Sequence, residues 1–131
     1  ELGLQTVNYH TLDFISRGHG LAEYIDAVKR IQKYGFSICT HLILNLPHDT
    51  LRDTVETAKV MSALKIDIVK LHSLYIPKNT PLCEAYEHGT ITLCSKEEYI
   101  EQDETLAYME EKGYYQGKFY NYLNGAALNS L

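Results

Sequence analysis

The chain has 131 residues, 45% of them hydrophobic and 22% charged, with no Trp and a formal net charge of −5. That balance excludes a disordered tail and suits one domain or part of a larger one. No apolar run approaches the roughly 18 residues of a membrane span, and the negative charge offers nucleic acid no overall attraction, although a local basic patch is compatible with it.

Glu1-Leu2-Gly3-Leu4-Gln5-Thr6 opens directly on a strand pattern, without an initiator Met, a polar lead-in or the basic and apolar stretches of a signal peptide. The chain therefore reads as part of a longer protein. After the first strand, Leu2–Thr6, a short helix is expected around Thr11–Ser16. Leu21, Tyr24, Ile25, Val28 and Ile31 then recur at helical spacing, and Gly35 supplies the left-handed stop. The second strand is Ser37–Leu46. Thr50 and Asp53 form a variant capping box for a helix with Leu51, Val55, Ala58, Met61 and Leu64 on its buried stripe. The third strand is Ile66–Tyr75. These alternating elements predict βαβ units and a parallel sheet, hence an α/β fold that forms part of a barrel. Leu82–Glu87 reads as a short helix stopped by Gly89, and Ser95 with Glu98 caps another that runs toward Lys112 and Gly113. A Tyr-rich tail (Tyr114, Tyr115, Tyr120, Tyr122) follows.

The three cysteines, Cys39, Cys83 and Cys94, have no CxxC spacing and fit neither a disulfide framework nor a zinc site. They suit a reducing, cytoplasmic compartment and structural roles, and no metal ligands are expected.

Side chains alternate across a strand. In the second strand Ile38, Thr40, Leu42, Leu44 and Leu46 share one face, against Ser37, Cys39, His41, Ile43 and Asn45 on the other. The first strand sets Leu2 and Leu4 against Glu1, Gly3 and Gln5, and in the third Lys70 and His72 share a face with Ile68. A sheet buried only for stability would be apolar on both faces. Polar groups inside an α/β sheet point either to mutual pairing or to a ligand, and ligands sit at the carboxyl ends of the strands.

At these strands the sequence resembles the radical S-adenosylmethionine (SAM) superfamily, most closely an Elongator-related bacterial Fe–S oxidoreductase subfamily. The resemblance is carried by Glu1–Thr6, Ser16-Arg17-Gly18-His19-Gly20, Thr40–Pro47, Lys70–Leu74 and Tyr115-Gln116-Gly117-Lys118. It implies the C-terminal half of a partial (β/α)6 TIM-like barrel over residues 1–88: three parallel strands with flanking helices. A helical C-terminal extension follows over residues 89–131. Relatives carry a further βα segment where Gln102 here meets Asp103, so this chain reads as shortened or lacking residues there.

The resemblance also implies SAM contacts from Gln5 and Arg17. His41 stands where several relatives carry an Asp that bonds the ribose, and Asn45 stands where they carry the Gly of a turn. His48-Asp49 replaces Gly-Glu. Lys70 and His72 are expected to face substrate or the SAM carboxylate. Residue by residue, simpler roles also fit: Arg17 as a helix C-terminal cation, Lys70 as a partner for Glu1, His19 as a helix cap, and the Tyr-rich tail as a cover for the barrel mouth.

The family's cluster-binding cysteines lie in the half that is not present, so the [4Fe–4S] cluster would belong to the intact protein. The implied chemistry is reductive cleavage of SAM to a 5′-deoxyadenosyl radical, with modified tRNA as substrate and flavodoxin or ferredoxin as electron donor. Two rivals are a barrel hydrolase with His19, His41 and His72 on a metal, and a non-enzymatic interaction module built on Tyr114–Tyr122.

Overall fold

The computed structural model describes residues 1–111 and 118–121, with side chains for residues 1–105. Its order is β1 (Leu2–Gln5), α1 (Tyr9–Phe14), α2 (Leu21–Gln32), β2 (Cys39–Leu44), α3 (Leu51–Ala63), β3 (Ile68–Ser73), α4 (Pro81–Glu87), α5 (Lys96–Glu111) and β4 (Lys118–Asn121). All the strands pair in parallel in the spatial order β1-β2-β3-β4.

The expected three strands and their helices are present. β4 is additional: Lys118–Asn121 lies beside Ile68–Leu71 and extends the sheet within the segment expected to be helical. Four residues in a Tyr-rich stretch are too few to establish a period. Tyr114, Tyr115 and Tyr122, Gly113 and most of the expected Tyr115–Lys118 motif lie outside the described residues.

One sheet face is dry. Leu4, Leu42, Leu44, Val69 and Leu71 pack with Tyr24 and Val28 of α2, Ala58 and Met61 of α3, and Tyr99 of α5. Tyr24 and Thr40 join hydroxyls inside this layer, tying α2 to β2. Burial pushes the Tyr24 phenol up to about 12. The opposite face carries Gly3, His41, Lys70 and His72, all only partly buried. The alternation read from the sequence therefore divides a helix-covered face from a polar one.

Local chemistry sets the helix ends. Asn8 Oδ1 accepts from the backbone N–H groups of His10 and Thr11 at the start of α1. Thr50 N–H donates to the Asp53 carboxylate at 2.7 Å. At α5, Ser95 and Glu98 exchange reciprocal bonds of 2.7 and 3.1 Å, the full capping box. α5 runs without a break through Gln102 and Asp103 and lies against α3. Among the described residues no helix is long and apolar enough to cross a membrane.

Candidate functional site

The polar face begins with an irregularity in β1. Gly3 pairs with His41 and Gln5 with Leu42, so two residues of β1 advance against one of β2. Gln5 takes up the bulge in the left-handed region, at φ 72°.

Arg17 arrives from the other side of α1. Ser16 N–H donates to the Asp13 carbonyl and Arg17 N–H to the Leu12 carbonyl, with Ser16 at φ 56°. This is a Schellman end with Ser in place of the usual Gly. The guanidinium does not stay at the helix end. Its Nη2 donates to the Gly3 carbonyl at 3.1 Å, while its Nε is buried without a partner among the described residues.

Gly3 is what allows this. A Cβ there would lie 2.6 Å from Arg17 Nη2 and 3.1 Å from Gln5 Nε2. The amide of Gln5 and the guanidinium of Arg17 thus converge over one bare backbone position, beside His41 on the adjacent strand. A cleft of about 350 Å³ opens here, lined by Glu1, Gly3, Arg17, His19, Glu23 and Tyr24. His19 Nδ1 is also buried and unpartnered among the described residues, and Gly20 caps α2.

The remaining polar residues form a chain across three strands. Lys70 Nζ donates to Glu1 Oε1 at 2.6 Å and holds the Glu1 carboxyl below its usual range. The second Glu1 oxygen lies 3.5 Å from His41 Nε2. His41 Nδ1 is 2.8 Å from His72 Nε2, and the two rings stack with centroids 5.0 Å apart. Desolvation, then His41 and Lys70, hold the His72 imidazole below its ordinary value.

Asn45 has a different surrounding. It is buried at φ 67° in the turn after β2, and its Oδ1 accepts from Cys94 N–H at 2.8 Å, pinning the approach to α5. The residue that stands in the Gly position of the turn is thus left-handed, with its amide serving the fold.

Two groupings were not visible in the sequence. Asp49 accepts from the hydroxyl of Thr11 at 2.6 Å, and the Thr6 hydroxyl, next to Gln5, also favours its charged form. Burial pushes its carboxyl up to about 6. Glu1, Cys39 and His41 bring ligand atoms within 4.8 Å of one another, and they are the only such His/Cys/Asp/Glu group of three or more among the described residues. His19, His41 and His72 do not assemble into the metal triad of the hydrolase rival. Farther along, Phe14, Ile15, Pro77, Pro81, Leu82 and Ala85 line an apolar cleft of about 510 Å³ between α1 and α4.

Residues 1–61 match the Radical SAM superfamily model and residues 66–110 match the Radical_SAM C-terminal domain model. The chain belongs to the radical SAM superfamily. An uncharacterised protein of Methanocaldococcus jannaschii is 37% identical over 76% of this chain and 31% of its own length. A tRNA uridine(34) acetyltransferase of the same organism is 28% identical over 77% of this chain and 19% of its own length. Among solved structures, Methanocaldococcus infernus Elp3 with an N-terminal deletion superposes with a TM-score of 0.71. It is 22% identical, over 79% of this chain and 25% of that one.

The likeness to Elp3 is one of fold, and it makes the parallel sheet with its flanking helices a portion of a TIM-like barrel. The chain spans about a third of the length of the first of these relatives. Its three cysteines stand on β2, on α4 and before α5, and do not form a cluster-binding set.

Proposed function

We propose that this chain is a SAM-binding wall of a radical SAM enzyme, with Gln5 and Arg17 as the cofactor-holding side chains. The convergence of the Gln5 amide and the Arg17 guanidinium over Gly3 carries the reading. A guanidinium pairs with a carboxylate through parallel N–H bonds. Arg17 keeps a buried, unused Nε donor beside an Nη2 already oriented by Gly3. The SAM methionyl carboxylate matches that fork, and the Gln5 amide matches a ribose hydroxyl or the same carboxylate.

His41 turns its two nitrogens toward His72 and Glu1, so it lines the wall rather than holding both ribose hydroxyls as an Asp would. Asn45 acts on the pocket by holding the turn after β2. Lys70 and His72 lie on the next strand and present charge and a ring nitrogen to the substrate side.

When bound, a [4Fe–4S] cluster supplies the electron for reductive cleavage of SAM. Its thiolates come from elsewhere in the intact protein, and flavodoxin or ferredoxin is the donor class we assign. This chain alone is expected to leave SAM uncleaved. The tRNA uridine(34) acetyltransferase among the relatives supports modified tRNA as the substrate class.

The test uses the intact protein, purified without oxygen. It is expected to contain iron and sulfide and to cleave SAM with a chemical reductant. Arg17→Met should weaken SAM binding at least about tenfold, the loss of one charge-assisted interaction of about 1.5–3 kcal/mol. A cluster-containing protein that neither binds nor cleaves SAM, or an Arg17→Met variant with unchanged affinity, defeats the proposal.

A further inference from the structure

Cys39 and His41 are two apart on β2 and therefore share a face. Continuing the Leu2–Thr40 register by one step sets Glu1 opposite Cys39. Two adjacent strands thus bring a carboxylate, a thiol and an imidazole together, with ligand atoms within 4.8 Å of one another.

His41 makes the arrangement informative. Its Nε2 is buried and has no hydrogen-bond partner among the described residues. Glu1 Oε2, at 3.5 Å, is too distant for a sound N–H···O bond. A buried ring nitrogen left this way is costly, and an ion is one of the few things that explains it. The other nitrogen is committed: Nδ1 is 2.8 Å from His72 Nε2. With the proton on Nδ1 and donated to His72, Nε2 presents a lone pair. A metal-binding histidine is held by its outer neighbour in this way.

Lys70 is the competing cation. It occupies Glu1 Oε1 and leaves Oε2, the oxygen facing His41. We propose that Glu1 Oε2, Cys39 Sγ and His41 Nε2 form a three-ligand site for a borderline-soft divalent cation, Zn2+ matching best, with the fourth position open to the uncovered sheet face. Zinc accepts this mixture of oxygen, sulfur and nitrogen at bonds of about 2.0–2.3 Å, and three protein ligands with one open position is the pattern of reactive zinc sites. Tetrahedral ligand atoms then stand about 3.5 Å apart. The Glu1 side chain is 61% exposed, and turning its Oε2 about the Lys70 contact closes the difference. Binding releases the Cys39 thiol proton to solvent, and no electron moves. The site draws on neither Gln5 nor Arg17, and it shares His41 with the wall of the SAM reading.

The test has two arms. In the first, this chain is titrated with Co2+ under reducing, oxygen-free conditions, with circular dichroism to establish that each variant is folded. One equivalent should bind with a thiolate-to-cobalt charge-transfer band. Cys39→Ser should abolish the band, whereas Cys83→Ser and Cys94→Ser should retain it. His72→Ala should weaken binding by about 10–100-fold, the usual effect of removing an outer neighbour. In the second arm, zinc and iron are measured in the intact protein. Cys39→Ser should lose one zinc per chain with iron unchanged. A folded wild-type chain without the band, a band that survives Cys39→Ser, or zinc content unaffected by that substitution overturns the site. Loss of iron or of SAM cleavage bears on the proposed function and not on this one.

Discussion

Gly3 shows how one missing atom organises a site. A Cβ there would meet Arg17 Nη2 at 2.6 Å, but the obstacle is the end of a flexible side chain, so the fold can absorb it. Gly3→Ala is expected to cost less than about 1 kcal/mol of stability while displacing the guanidinium. Urea unfolding of the variant, set against SAM affinity in the intact protein, should show near-normal stability and binding weakened about tenfold. Asp49 makes the opposite kind of statement. Its carboxyl is pushed up to about 6 by burial, so below its unfolded value the protonated form contributes stability. That contribution disappears as pH rises from about 4 through 6. Asp49→Asn keeps an acceptor for Thr11 and should exceed wild type by about 1–3 kcal/mol above pH 6. The two should converge near pH 4 when urea midpoints are compared. Gln5, Arg17, His41, Lys70 and His72 could be singled out from strand parity and resemblance. The Glu1–Cys39–His41 grouping and the His41–His72 contact could not, because both depend on which residue faces which across strands. A sequence without its register does not state that.

At the scale of elements, the clearest signals were local ones. Ser95 with Glu98, and Thr50 with Asp53, mark helix starts because capping is settled within four residues. The long-range ties were silent. Tyr24 read as one position of an apolar stripe, yet its hydroxyl meets Thr40 inside the core. Tyr24→Phe leaves the Thr40 hydroxyl buried without that partner and should cost about 1–3 kcal/mol. The double variant Tyr24→Phe, Thr40→Val should recover most of the loss in a thermal or urea melt. Asn45 separates two contributions in the same way. Asn45→Gly keeps the left-handed turn but loses the bond to Cys94 N–H and the buried side chain, at about 1–3 kcal/mol. Asn45→Ala adds a left-handed conformation at about 1–2 kcal/mol more, so alanine should be the more damaging change. β4 escaped notice because its place is earned by pairing with Ile68–Leu71, not by any periodicity of its own.

Over the whole molecule, alternation in three strands was enough to foretell a sheet with one face under helices and one face left polar. The helix-covered layer includes Leu4, Leu42 and Leu71; the polar one holds the Glu1, His41, Lys70 and His72 chain, and the cleft opens at the β1 edge where the two meet. What divides them is solvation. The dry face excludes water from every neighbour, whereas the polar face retains groups whose burial is tolerable only beside a partner or a ligand. The strands also stand in the sheet in the order in which the chain makes them, β1-β2-β3-β4. Each newly synthesised strand finds its partner already laid down, and no pairing has to reopen to admit a later one. Such a wall can be assembled in chain order, each strand on the one before it, while the polypeptide is still emerging. Its growing edge, where unpaired backbone invites the wrong neighbour, is the place such assembly most needs protection.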